Sequence, residues 1–320
     1  MYGLKDLKSK IEIDANSVEC PVKGCSFKVV RQRKTFKREQ KYQCCTHKIY
    51  ISPSTFAYET EKENLLWHDS SDKQLFEEIK KVKRESRIAR DNSEDALTWN
   101  VMRFLDRQGL VTDFLSKLSN KKINESELIL WSYSPKEKSS WTLLNKAREE
   151  FGEIIRRGSE PDIIVKTDKV LYFIEAKLNA NNKSKPSNPK NRKQYETGGN
   201  NMFRQIFRSD YETVVIKDRR YELMRFWLLG NWIAHQLKVD FEFYNLVPSS
   251  REKDIESGFG KHIIQTEKSK FFRLTWEKIY DYIRVLEDDI EKQKIIEYFE
   301  NKTIGYNNRG NIIKAFDIAK

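Results

Sequence analysis

No run of eighteen apolar residues occurs anywhere in this chain of 320 residues, so a membrane-spanning helix is not expected. The first residues, MYGLKDLKSKIEIDANS, lack the apolar stretch of a signal peptide, which makes a cytoplasmic location without membrane contact the expectation. Cysteine is absent after position 45, and all four cysteines crowd between positions 20 and 45. In a cytoplasmic chain that crowding speaks for one local metal site rather than a pair of disulfides. Acidic residues are in deficit, with 60 Lys and Arg against 48 Asp and Glu, a formal net charge of +12. Such a balance favours a polyanionic partner, although solvated basic faces are common. An apolar content of 38% is enough to bury a substantial core in more than one domain and excludes intrinsic disorder.

Cys20-x4-Cys25, eighteen intervening residues and then Cys44-x2-His47 supply three thiolates and an imidazole, a donor set suited to tetrahedral Zn²⁺. Cys45 competes with Cys44, and an all-cysteine set that leaves His47 free is the alternative. A closed set of four ligands leaves no position for water, so the expected role of the zinc is structural. The intervening FKVVRQRKTFKREQKYQC reads as a β-hairpin that presents the two ligand pairs to each other. The stretch is also the most basic of the chain, with nine Lys and Arg between Cys20 and Lys48 against the single acid Glu39. Arg31, Arg33, Lys34, Lys37 and Arg38 are its candidate phosphate contacts. Phe27, Phe36 and Tyr42 either stack on bases or pack the hairpin.

The densest chemistry lies in EPDIIVKTDKVLYFIEAK, from Glu160 to Lys177. Asp162–Val165 and Val170–Ile174 are apolar β-forming runs joined by the polar turn Thr167-Asp168-Lys169, the pattern of a β-hairpin. Its spacing sets Asp162 opposite Ile174 or Glu175, and places Glu175 and Lys177 on one face of their strand. Charges at the end of a strand buried on both faces are costly without a partner or a metal. Glu-x-Lys alone reads equally as a surface ion pair; joined to Pro161-Asp162 on a basic chain, it reads as a site for Mg²⁺ held by carboxylate oxygens and the Ala176 carbonyl, with Lys177 beside the attacking water.

Pro161-Asp162 and Glu175-Ala176-Lys177 resemble the signature of the PD-(D/E)xK nuclease superfamily, the restriction-endonuclease-like phosphodiesterases. The resemblance implies an α/β core with a mixed sheet, catalysis by Asp162, Glu175 and Lys177 with one or two Mg²⁺ ions, and a further acid from a preceding helix. DNSEDALTWNVMRFLDRQG supplies such a helix, and Glu94 in its first turn is the candidate, with completion of a helix cap as its plainer role. Gln194-Tyr195 and Gln205 do not fit the Q-x-x-Y spacing of the RecB-like exonuclease branch. The implied activity is Mg²⁺-dependent cleavage of double-stranded DNA, of the type II restriction kind, and cutting both strands makes a homodimer a plausible assembly. A structure-specific nuclease or a non-catalytic nucleic-acid-binding protein is the alternative.

The expected organisation is a zinc module at 1–64, a connecting helix at 65–90 built on SSDKQLFEEIKKVKRESRIAR, a nuclease core at 91–250 and a helical extension at 251–320. Within the core, Leu128–Tyr133, Thr213–Lys217 and Phe241–Val247 read as strands, and Trp141–Arg157 and Tyr221–Leu237 as helices. The polar loop from Asn179 to Asn200 carries Lys183, Lys185, Arg192 and Lys193, and Arg204 and Arg208 follow; all are candidate phosphate contacts, the loop ordering on DNA. His235 and His262 read as surface or packed histidines, and the apolar stripe from Trp276 to Phe299 as core or dimer face.

Overall fold

The computed structural model describes residues 6–83, 87–188 and 191–318. Four short strands form two hairpins near the N-terminus, β1 (Ser17–Glu19) with β2 (Lys28–Val30) and β3 (Tyr50–Ile51) with β4 (Phe56–Ala57). The hairpin expected between the two ligand pairs does not form, because β2 pairs backwards with β1. Buried Gln32 takes the place of a ladder there: its amide donates to the carbonyls of Lys37 and Ile51 and accepts the Lys37 N–H.

Helix α1 (Ser70–Val82) starts on Asp69, whose carboxylate accepts the Ser71 and Asp72 N–H groups, and turns extended at Lys83, short of the expected Arg90; residues 84–86 of the expected helix lie outside the described residues. Next come α2 (Glu94–Arg107), capped by Ser93, and α3 (Val111–Ser119). Strands β5 (Ser126–Leu130), β6 (Tyr133–Ser134) and β7 (Ser139–Ser140) lead into α4 (Thr142–Glu150), which stops at the left-handed Gly152 rather than running to Arg157. The hairpin β8 (Ile163–Thr167) and β9 (Val170–Ala176) follows, then α5 (Arg192–Ile206), α6 (Tyr221–Leu237), β10 (Asp240–Val247), α7 (Ile255–Gly260), β11 (Ser269–Thr275), α8 (Trp276–Arg284), α9 (Ile290–Asn301), β12 (Thr303–Tyr306) and β13 (Ile312–Lys314). The strand expected at Thr213–Lys217 is instead π-helical. Asp210 accepts the Thr213 N–H at 2.7 Å and starts a helical turn, so local capping overrides the β-propensity of the valines.

Seven strands make one mixed sheet in the order β11-β10-β9-β8-β5-β6-β7. β5, β8 and β9 run antiparallel, whereas β9, β10 and β11 run parallel, their crossovers made by α5 and α6 and then by α7. Alternation along β9 splits the core into two layers. Val170, Tyr172, Ile174 and Ala176 pack with α2, α3, α8 and α9, while Leu171 and Phe173 pack with α4, α5 and α6. The fold is thus an α/β architecture, a mixed sheet flanked by helices with small N-terminal hairpins and C-terminal helices.

The last two strands return to the N-terminal unit. Gly310 accepts the Ile11 N–H and Ser54 accepts the Tyr306 N–H, while Tyr306 stacks on Phe56 in the small core of that unit. Approach this close needs glycine: a Cβ on Gly305 or Gly310 would fall about 2 Å from the Ser54 or Ile11 carbonyl oxygen, and both have positive φ. Among the described residues, no helix is long and apolar enough to cross a membrane.

Candidate metal centre and catalytic cleft

The loops after β1 and before β3 bring Cys20, Cys25, Cys44 and His47 together, with their four ligand atoms all within 4.8 Å of one another. Cys20 Sγ and Cys44 Sγ lie 3.5 and 3.7 Å from His47 Nδ1, and Cys25 Sγ lies 3.9 Å from Cys44 Sγ. These are close to the edges, about 3.5–3.8 Å, of a tetrahedron with zinc–sulfur bonds of ~2.3 Å, and far beyond a disulfide bond of ~2.05 Å. Burial and the neighbouring Cys44 and Cys25 push the Cys20 thiol upward, a cost to the thiolate that a bound cation would offset. The group can therefore hold a structural zinc. Cys45, exposed and turned to Thr46, stands outside it, which decides between the adjacent cysteines.

The catalytic candidates sit where β8 enters and β9 leaves the sheet. Ile163 pairs with Ile174, so Asp162, one residue out, comes level with Glu175. Pro161 has no N–H for the ladder, and the Ala176 N–H donates instead to Asp162 Oδ2 at 2.9 Å, while Trp131 Nε1 donates to Oδ1 at 3.2 Å. Glu175 is buried to 3% exposure; Lys177 Nζ donates to its Oε1, and its Oε2 is buried with no partner. Burial, then the nearby Asp95 charge, pushes the Asp162 carboxyl up to about 6 against the pull of Lys177 and Lys83. Burial, then Asp162 and Glu222, raises Glu175 well above the usual carboxylate range. Burial works against the Lys177 charge, but Glu175, Glu222 and Asp162 outweigh it and keep the ammonium protonated.

Glu94 comes to this region from the opposite layer. Strand alternation turns Glu175 and Lys177 toward α6, whereas α2 covers the other face, so Glu94 reaches them only around the end of β9. There its Oε1 accepts the N–H groups of Leu178, Asn179 and Ala180 at 2.9–3.2 Å, fixing the chain just beyond Lys177. Three further residues belong to the cluster without having been singled out by motif. Glu222, in the first turn of α6, lies 3.2 Å from Lys177 Nζ. Lys83 pairs with Asp95 at 3.0 Å and stacks over Trp131 at 4.4 Å. A charge opening an otherwise apolar helix was the one available signal for Glu222; Asp95 shares the acidic first turn of α2 with Glu94, and for Lys83 there was none.

A cleft of about 570 Å³ opens beside this group, lined by Lys83, Arg87, Arg90, Glu94, Asp95 and Glu222 among others; Asp162, Glu175 and Lys177 lie behind Glu222 and Asp95 and do not line it. Beside it a smaller hollow of about 290 Å³ gathers Arg38 of the N-terminal unit with Arg87 and Arg90. Burial and the charges of Arg87 and Arg38 disfavour the Arg90 cation, which lies over Phe36 at 5.2 Å. Three arginines share this hollow with the single carboxylate of Glu61, an excess of positive charge that a further anion would relieve. Among the described residues the Cys/His group is the one set of three or more His, Cys, Asp or Glu side chains placed to share a metal ion, so Asp162 and Glu175 form a pair, not a cage. Their hard oxygens and the unpartnered Oε2 suit Mg²⁺, which takes one or two carboxylates and fills its shell with water and phosphate.

The other sequence candidates scatter. Arg31 and Arg33 donate to the carbonyls of Asp14 and Ala15, and Arg38 to those of Tyr58 and Glu59, so these arginines also tie the N-terminal unit together. Lys34 is exposed, and Lys37 lies 3.7 Å from Glu39. Lys183 and Lys185 stand on the loop after β9, whose Asn182 and Ser184 are anchored to Asn245 and to the Arg219 carbonyl, so this half of the loop is ordered by the protein itself; residues 189–190 of that loop lie outside the described residues. Arg192 pairs with Glu196, and Lys193, Arg204 and Arg208 are exposed. His262 is packed between Ser209 and Asp218, and His235 is exposed. Comparison of the chain with protein-family models, with curated proteins and with solved structures finds no match.

Proposed function

We propose that this protein is a Mg²⁺-dependent endonuclease of the PD-(D/E)xK kind that cleaves double-stranded DNA, with the zinc-type module adding contacts to the duplex. One observation carries the reading: Glu175 Oε2 is buried without a partner, level with Asp162 and beside Lys177. Two carboxylates that resist ionising side by side, only partly offset by Lys177 and with one oxygen unpartnered, are what a divalent cation would stabilise further.

Asp162 and Glu175 would hold the metal, which when bound supplies a polarised phosphate and an acidified water. The N–H of Ala176 and the indole of Trp131 fix the Asp162 carboxylate so that it does not rotate away. Lys177 enters the reaction as an ammonium, since Glu175 and Glu222 favour its charge; it donates to the attacking water or to a phosphate oxygen and is not a base. Glu94 acts through the backbone of 178–180, holding the end of β9 in place. The Arg38, Arg87 and Arg90 group continues the cationic track from the cleft to the N-terminal unit, a path suited to a phosphate backbone.

The test is cleavage of unmethylated and modified plasmid, with RNA and branched DNA alongside, in the presence and absence of added Mg²⁺. Discrete Mg²⁺-dependent fragments are expected, lost by roughly a thousandfold in Asp162→Ala with binding retained. Cleavage that survives Asp162→Ala, after contaminant controls, refutes the assignment, and cleavage confined to RNA or branched DNA transfers it to a structure-specific nuclease.

A further inference from the structure

A second cavity adjoins the catalytic cleft and is used by neither the carboxylate pair nor the thiol group. It measures about 490 Å³, and Glu222 is a wall common to both spaces. Its lining includes Arg157, Lys185, Gln194, Tyr195, Tyr221 and Arg225. Arg225 is the informative member: its guanidinium lies over the Tyr221 ring at 4.5 Å, and its Nε is buried with no hydrogen-bond partner. A buried donor left unpaired is costly, so it marks a position that a ligand acceptor would fill. The two carboxylates that line the cavity are engaged elsewhere. Glu153 accepts from the Ser159 and Tyr195 hydroxyls, acting on Arg225 through its charge alone, and Glu222 is paired with Lys177.

Size and chemistry narrow the occupant. The volume falls within the range of about 300–1,000 Å³ typical of small-molecule sites, far more than a bare phosphate fills. Cations stand beside side-chain amides, which offer donors and acceptors together, as the edge of a nucleobase requires, while the Tyr195 and Tyr221 hydroxyls are bonded to Glu153 and to each other. We propose that this cavity is a nucleotide subsite that takes one unstacked nucleotide flanking the phosphodiester in the neighbouring cleft, its phosphate on Arg225 and Lys185 and its base edge on Gln194. The proposal deepens the nuclease reading and rests on it for the word flanking, but the binding itself does not depend on cleavage.

Calorimetric titration of the full-length protein, without added Mg²⁺, with deoxynucleoside 5′-monophosphates tests it, using the matching nucleosides and inorganic phosphate as controls. Monophosphates are expected to bind more tightly than either control by about tenfold or more, and Arg225→Gln to weaken them by at least about tenfold. Lys185→Ala, at an exposed side chain, should weaken them about threefold with unfolding temperature unchanged, which covers the case in which Arg225→Gln fails to fold. Inorganic phosphate binding as tightly as the monophosphates, or monophosphate binding unaltered in Lys185→Ala and in a folded Arg225→Gln, overturns the subsite. Monophosphate binding in a protein that cleaves no substrate keeps the subsite and removes the nuclease reading; cleavage without monophosphate binding does the reverse.

Discussion

The Cys/His group of the N-terminal unit and the carboxylate pair of the sheet both gather potential metal ligands, yet their surroundings differ in kind. Around Cys20, Cys25, Cys44 and His47 there is little else: two hairpins of two- and three-residue strands and a small core of Ile11, Val18, Val29, Ile49, Ile51, Phe56, Tyr58 and Tyr306. Asp162 and Glu175 sit at the end of a seven-stranded sheet with an apolar layer on each face. A small unit depends on its ligand cluster to fold, because its apolar surface cannot offset the chain entropy alone. The large one has an apolar layer on each face and holds its two carboxylates buried at a cost, which the proposed metal site would account for. Removing ligands should therefore act in opposite directions at the two places.

The largest effect is expected from stripping zinc from the N-terminal unit or from Cys20→Ser. Hydrogen exchange should show residues of the first sixty losing protection, a local destabilisation of more than about 4 kcal/mol, while β8, β9 and β10 stay protected. Strands β12 and β13 should loosen with them, since they dock through Gly305 and Gly310 onto Ser54 and Ile11. Unchanged protection in metal-free protein would mean that the small core suffices and the contrast is false.

Within the sheet the comparison sharpens between two glutamates on neighbouring strands. Lys177→Met should destabilise the core by about 3 kcal/mol, because it leaves Glu175 and Glu222 without their common cation. Glu242 on β10 is fully engaged by Lys121 and Tyr244, so Glu242→Gln should cost about 1–3 kcal/mol. Glu175→Gln, by contrast, removes a charge opposed by Asp162, keeps an amide oxygen for Lys177 to donate to and leaves Glu222 as its counter-charge, and should raise stability in metal-free protein by about 1 kcal/mol. Denaturant midpoints of the three variants check the order; Glu175→Gln falling with the others would make Glu175 a structural ion-pair partner.

The two clusters were also unequally legible. Close spacing exposed the Cys/His set, and strand alternation exposed Asp162, Glu175 and Lys177, because both depend on residues near one another in sequence. The helix over Glu94 and the strand over Phe241–Val247 were readable from period and cap for the same reason. What was hidden depends on tertiary meetings. Glu222 reaches Lys177 across the length of the intervening loop and α5, and Lys83 meets Asp95 where α1 has already ended. The return of β12 and β13 to the N-terminal unit was equally invisible, its trace being two glycines whose need appears only once Ser54 and Ile11 stand beside them.

A titrating group remote from both clusters supplies the smallest and cleanest expectation. His262 is 2% exposed, with Nδ1 at 2.9 Å from Ser209 Oγ and Nε2 at 2.9 Å from Asp218 Oδ2. Burial lowers its pKa from the ordinary 6.5, and the Lys261 and Arg220 charges add to that, outweighing the opposite pull of Asp218. The unfolded chain then binds a proton at a pH where the folded chain does not, so stability rises with pH through this window. The contribution is complete above the unfolded value of 6.5 and is lost progressively as pH falls toward the folded one. Asp218, itself held below the usual carboxylate range by Lys261 and His262, stays ionised throughout and adds no slope there. Between pH 7 and 5.5 the stability of wild type relative to His262→Gln should fall by less than about 1.4 kcal/mol per pH unit, and taking the difference cancels the titration of Asp162 and Glu175. A difference that stays flat, or that grows as pH falls, would show that Asp218 holds His262 charged in the fold and that the core tolerates a buried ion pair as readily as it does at Lys177.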